Sequence, residues 1–239
     1  NVYQSYGYEV VYLREWLNMS SVMQSTFMNQ RSFGSKTLDV VGTASGQNSS
    51  STSVNFTYPS DTQEGDLVVG FFMKSGNGTG TGFRNQGGWT RGTNGLYSNV
   101  TIYHQIAGIN TAGSTGNFYD PATERTRRTA IIIVLRNGQF TSNSNTATAK
   151  NQSPFTTPAL TNATDNSTLL YIVGSEDPNQ TYTVSGMTLQ LAPNANVSYN
   201  MKLLIQQDMA SGSTGNKVAT YSSGGDTFLA MCNVQNKLL

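Results

Sequence analysis

The sequence predicts an all-β protein: an antiparallel two-sheet β-sandwich, jelly-roll-like, preceded by an N-terminal anchoring segment over residues 1–36. Three observations carry that expectation. Short apolar or alternating runs recur between glycine- and asparagine-rich turns, the rhythm of sandwich strands. Ser, Thr, Asn, Gln and Gly dominate the remainder, and these side chains compete for backbone hydrogen bonds and so disfavour helices. The third is an internal echo. Gly65–Lys74 is answered by Asp165–Gly174, Gly88-Trp89-Thr90 by Gly186-Met187-Thr188, Val100–Ile106 by Asn200–Gln206, and Thr129–Leu135 by Asp226–Val234, at an offset of roughly 98 to 101 residues. The domain 37–239 is therefore expected to hold pseudo-repeated halves, about 37–140 and 141–239, although strand order within one sandwich could produce the same rhythm.

The first element is unlike the rest. Tyr3, Tyr6, Tyr8, Tyr12 and Trp16 crowd together with Val2, Val10, Val11 and Leu13, and Tyr8–Leu13 suits a strand. Trp16, Met19, Met23 and Phe27 are spaced by three or four, a helical pattern over Arg14–Met28 that Ser20, Ser21, Ser25 and Thr26 weaken. Each large apolar side chain gains roughly 1.5 to 3 kcal/mol on full burial, and so short a piece cannot hide this many. Tyr3, Tyr6, Tyr8, Tyr12, Trp16 and Phe27 are accordingly expected to bind a partner, a neighbouring subunit before the chain's own sandwich.

The sandwich follows. Leu38–Val41 is a short apolar run and Gly42–Ser53 a small polar transition; Val54, Phe56 and Tyr58 then alternate onto one face until Pro59. Asp61–Asp66 turns the chain into the unbroken apolar run Leu67–Met73, and Ser75–Gly88 is a glycine-rich loop. Thr93-Asn94-Gly95 marks a hairpin, because Asn-Gly accepts positive φ at both central positions. Val100–Ile106 reads as a strand and Gly108–Thr123 as a long loop. Ala130–Leu135 is continuous apolar, so it and Leu67–Met73 belong at the centres of sheets; Arg136-Asn137-Gly138 turns the chain out, and Thr141–Pro158 connects the halves. Strand and loop then alternate to the end, punctuated by Pro178, Pro193 and Gly212–Gly215.

The totals exclude several functions. The chain has 239 residues, a net charge of +1 and only 11% charged side chains, so it lacks the basic surplus a nucleic-acid surface needs. Solubility must come from uncharged polar groups, a composition associated with extracellular or virion-surface proteins. Arg125-Thr126-Arg127-Arg128 is the local exception, read as a solvated loop before a strand, with a phosphate or carboxylate site as the alternative. Cys232 is the single cysteine, which rules out a disulfide within the chain; it shares a strand face with Phe228, Ala230 and Val234 and reads as a small buried hydrophobe. No stretch reaches the length of about 18 apolar residues that a spanning helix needs. The first residue is not Met and no signal peptide opens the chain, which suggests a processed product or part of a longer polypeptide.

Catalytic and metal constellations are thin. His104, the only histidine, alternates with Val100, Ile102 and Ile106 and reads as a structural side chain; no Gly-x-Ser-x-Gly elbow presents a nucleophile. His and Cys are too few for a usual zinc site. Asp61, Glu64 and Asp66, and Glu176, Asp177 and Asn179, cluster in sequence but match no calcium loop, and read as charged turns. Gly78-Thr79-Gly80 is not followed by the Lys of a phosphate loop. The expectation is of no enzyme, no metal and no cofactor. Asn-x-Ser/Thr sites, at Asn55 and Asn162 among others, are what a chain so rich in these residues produces by chance.

Gly65-Asp66-Leu67-Val68-Val69-Gly70, Gly88-Trp89-Thr90, Val100–Gly108 and Ala130–Leu135 ending in Arg136-Asn137-Gly138 resemble a β-sandwich domain common in tailed-bacteriophage structural proteins. A Ser/Thr/Pro connector, here Ser153-Pro154 to Thr161, opens the second half in that group. The likeness covers roughly Leu38–Val234, with His104 standing where Lys is expected, and Asn1–Leu13 looks like the linker strand between domains of phage tail proteins. It implies a virion surface protein: a tail fibre or appendage serving assembly and host adhesion, or a capsid decoration or head fibre. Its implied partners are other virion proteins, further copies of this chain and a host-surface glycan or receptor, with no nucleic acid and no membrane insertion. Two other classes stand beside it. A carbohydrate-binding module would stack sugars on exposed Trp89, Tyr97 or Tyr182, and a sandwich-fold glycoside hydrolase would pair two carboxylates in a groove.

Overall fold

Runs such as Leu67–Met73 and Ala130–Leu135 are apolar at every position because apolar cover lies on both of their faces. A computed structural model describes residues 38–49, 51–74, 87–92, 100–120, 128–150, 154–157, 159–160, 167–175, 182–191, 200–221 and 226–237. The aromatic segment 1–36, with its expected strand at Tyr8–Leu13 and helical pattern at Arg14–Met28, lies outside the described residues, as does the Asn94-Gly95 hairpin turn.

Among the described residues there are strands and no helix. The first seven are β1 (Asp39–Asn48), β2 (Ser53–Thr57), β3 (Leu67–Lys74), β4 (Thr90–Arg91), β5 (Val100–Ile106), β6 (Thr115–Tyr119) and β7 (Arg128–Arg136). The other eight are β8 (Gly138–Lys150), β9 (Phe155–Thr157), β10 (Ser167–Ser175), β11 (Tyr182–Val184), β12 (Thr188–Leu191), β13 (Asn200–Met209), β14 (Lys217–Tyr221) and β15 (Asp226–Asn236). One five-stranded sheet runs β1-β7-β3-β5-β4 and a second runs β12-β13-β10-β15-β8; the small sheets are β2-β6 and β11-β14-β9. All described pairings are antiparallel.

The antiparallel sandwich expected from the sequence is therefore present, and it is doubled. Four sheets stack in four layers with three cores between them. In β3, Leu67, Val69, Phe71 and Met73 face a central core shared with Leu170, Ile172, Leu203 and Val234 of the second large sheet. Val68 and Phe72 face an outer core closed by Val54, Phe56 and Phe118 from β2 and β6. On the other side Leu169, Tyr171 and Val173 of β10 face a third core closed by Tyr182, Val184 and Ala219. Both large sheets are thus interior layers, and alternation between polar and apolar residues is lost wherever a strand is covered twice. As expected, β3 and β7 are central, β3 between β7 and β5, and β7 between β1 and β3.

Read from its far end, the second large sheet runs β8-β15-β10-β13-β12, matching β1-β7-β3-β5-β4 strand for strand in chain order. Gly88 and Gly186 both take positive φ, 81° and 75°, and are followed by Trp89 and Met187, each packed on the outer core of its own half. Val40, the second residue of β1, and Phe140, the third of β8, both pack on the central core.

Three segments differ from expectation. The polar stretch after Val41 is most of strand β1, the loop 108–123 contains β6, and the connection 141–158 contains most of β8 and all of β9. Their residues are mostly small and polar, with single aromatics such as Phe118 and Phe140 among them, so no apolar period announces them; backbone pairing holds them. In β1 the reason is visible: a Cβ on Gly46 would lie 1.9 Å from the carbonyl oxygen of Asn55, so only glycine lets β1 and β2 approach so closely.

Candidate functional site

Strand directions define two poles. In the first large sheet Asp39 faces Arg136 and Leu67 faces both Leu135 and Ile106 at one end, while Asn48 and Lys74 both face Arg128 at the other. In the second, Gly138 faces Asn236 at one end and Lys150 faces Asp226 at the other. The contacts between the sheets align these ends. A Cβ on Gly138 would lie 3.2 Å from side-chain atoms of Leu135 and Leu67 and 3.3 Å from Val234. A Cβ on Gly174 would lie 3.0 Å from the sulfur of Met73. Hence β3 and β10 run the same way, and the halves are related by an approximate two-fold axis along the strands.

The ends of the compact unit Thr37–Lys237 meet at the first pole. Asp39 pairs with Arg136, and the N–H of Lys237 donates to the carbonyl of Asn137 at 2.6 Å. Tight polar contacts fix this pole. Nε of Arg136 donates to Oδ1 of Asp66 and Nη2 to Oδ2, each at 3.2 Å, and Nη2 also reaches the carbonyl of Asp61 at 2.9 Å. Oδ2 of Asp66 in turn accepts the Gln63 N–H at 2.8 Å, and Asp66 holds the Arg136 guanidinium above its ordinary pKa through this hydrogen bond. The Gly65-Asp66-Leu67 and Arg136-Asn137-Gly138 motifs are thus two sides of one corner; Gly65 takes φ 88° there, a conformation glycine adopts without cost.

At the opposite pole the chain leaves β1, β3, β8 and β10 and enters β5, β7, β13 and β15. Its described framework is a buried charge cluster. Nε of Arg128 lies 3.3 Å from Oδ2 of Asp120, Nη1 donates to the carbonyl of Ser51 at 2.8 Å, and Nζ of Lys74 lies 3.6 Å from the same Oδ2. Arg128 was expected in a solvated loop and is instead fully buried, its carboxylate partner being the protein's own Asp120. Arg125 and Arg127 lie outside the described residues. Burial pushes the phenol of neighbouring Tyr103 up to about 12, with Arg91 opposing and Asp120 reinforcing the shift.

The other candidate residues fall as follows. Trp89 sits half-buried with its ring centroid 4.8 Å from Phe118, and Tyr182 is buried in the third core with Nζ of Lys202 5.7 Å from its centroid, so neither is a free stacking platform. Tyr97, Glu176, Asp177, Asn179 and the partner-binding set Tyr3, Tyr6, Tyr8, Tyr12, Trp16 and Phe27 lie outside the described residues. His104 stacks on Phe140 and burial lowers its pKa. Cys232 is wholly buried in the central core, and burial pushes its thiol up. Asp66 is committed to Arg136, and among the described residues no three of His, Cys, Asp or Glu are placed to hold a metal ion. Sequence reasoning missed the Lys74–Asp120–Arg128 cluster; its one signal was a charge at the edge of each of two apolar runs.

The chain matches no protein-family profile, no characterised protein and no solved structure with which it was compared.

Proposed function

We propose that the protein is a structural component of the bacteriophage particle surface, a tail-fibre or appendage subunit that contributes to assembly and host adhesion. The aromatic segment around Tyr3, Tyr6, Tyr8, Tyr12, Trp16 and Phe27 serves as the anchor to other virion proteins or to further copies of the chain. The observation that supports this reading best is the two-pole geometry. Asp39 and Lys237, near the two ends of the sandwich unit, lie at one pole beside Arg136 and Asn137, and the opposite pole is the one assigned to display.

The experiment labels assembled particles. Ser49 is exposed at the display pole and Ser60 at the pole of the chain ends. Ser49→Cys, treated with biotin-maleimide and streptavidin-gold, is expected to decorate the particle surface in electron micrographs, whereas Ser60→Cys is expected to be shielded. Absence of the chain from purified particles, or the reverse labelling pattern, would overturn the reading.

A further inference from the structure

We propose that Asn137 is a hinge through which two copies of this chain exchange halves, the inner sheet of one copy packing on the inner sheet of the other. Strand β7 ends at Arg136 and β8 begins at Gly138, so one residue carries the chain from the first large sheet to the second. Asn137 makes that turn at φ 59°, in the left-handed region that a side chain enters at a cost. Gly138 sits hard against Leu135, Leu67 and Val234. Straightening this residue relieves the conformation and runs β7 into β8 as one strand.

The rest of the fold permits the exchange. Each half closes its own outer core with its own small sheet. The side-chain hydrogen bonds and ion pairs named above each stay within one half. Among the described residues the halves are joined mainly by the central apolar core and the stack of His104 on Phe140. A second copy offers that same surface, so an exchanged pair recovers the contacts of this central core, and the two forms differ at the junction, where Lys237 bonds Asn137. The occupant is a second copy because the surface that fits each inner face is encoded in the other half of this chain. The proposal is independent of where the protein works.

The test uses the full chain, refolded at low and at high concentration and sized by chromatography with light scattering. Wild type is expected to give a dimer whose fraction rises with refolding concentration. Asn137→Val, which resists the left-handed turn, is expected to favour the dimer by about tenfold per hinge. Asn137→Gly is expected to favour the monomer. Exchange is read by the double variant His104→Cys/Phe140→Cys with a short bis-maleimide. The dimer fraction should then give a covalent dimer on a denaturing gel, with wild type, whose Cys232 is buried, as the control. Cross-links confined to single chains in that fraction would overturn the proposal. So would wild type and Asn137→Val that stay monomeric with native circular dichroism. If Asn137→Val does not fold, equal dimer fractions for wild type and Asn137→Gly overturn it.

Discussion

His104 and Phe140 stack face to face, ring centroids 4.1 Å apart and planes 12° from parallel, across the seam between the two halves. His104 follows Val100 and Ile102 along one face of β5 and Phe140 lies near the start of β8, so the contact spans the two large sheets. Burial disfavours the imidazolium and lowers the pKa from its ordinary value of 6.5.

The pH dependence follows in sign. The unfolded chain takes up the proton at higher pH than the folded one, so stability is full above pH 6.5 and falls as pH drops through 6.5 towards the lowered folded value. Chemical denaturation across pH 7.5 to about 5 is expected to show this loss. His104→Phe should keep the stack and flatten the slope, and an unchanged slope in that variant would place its source elsewhere.

Asp120 is expected to be the most sensitive charged position. Asp120→Ala removes the carboxylate that Arg128 and Lys74 share in a buried site, a change that costs roughly 3–5 kcal/mol. Urea melts of Asp120→Ala and Asp120→Asn measure it. A loss below about 1 kcal/mol would mean that the cluster is well solvated.

Gly70 and Phe118 form a coupled pair. A Cβ on Gly70 would lie 2.6 Å from the tip of the Phe118 ring, which is itself ringed by Phe56, Phe72, Trp89 and Tyr103. Gly70→Ala should cost roughly 1–3 kcal/mol by overpacking and Phe118→Ala roughly 3–5 kcal/mol by cavity formation. The double variant Gly70→Ala/Phe118→Leu is expected to be more stable than the sum of its parts, because the smaller side chain yields the space. Strict additivity in denaturation would contradict the geometry.

Cys232 offers a clock for unfolding. Its thiol is wholly buried between the large sheets and held in the protonated form. Thiol reagents are expected to label it only as fast as the central core opens, with a rate that rises with denaturant in step with loss of circular dichroism. Rapid labelling of the native protein would show that the seam breathes locally.

Sequence reading reached the strands whose chemistry is apolar and missed those whose chemistry is not. Leu67–Met73 and Ala130–Leu135 announce buried central strands because water must be excluded from both of their faces. Most of β1 and, apart from Phe140, most of β8 are polar, and what makes them strands is a ladder partner many residues away, which local pattern cannot reveal. Arg128 reads as a loop cation because nothing in the local pattern ties it to Asp120, eight residues before it in the chain. Trp89 suggested a sugar platform by its type alone, whereas Gly70 supplies the hollow that lets the aromatic cluster with Phe118 settle on the sheet. Cys232 was legible because it shares a strand face with Ala230 and Val234, and all three lie in the central core.

The direction of the strands has a mechanical consequence. In both large sheets the antiparallel strands span the distance between the pole where the chain ends gather and the pole opposite. A pull applied between the poles therefore acts along the strands and loads the ladder bonds of each sheet in shear. Bonds loaded in this way must yield together, whereas a sideways pull would peel them apart one at a time.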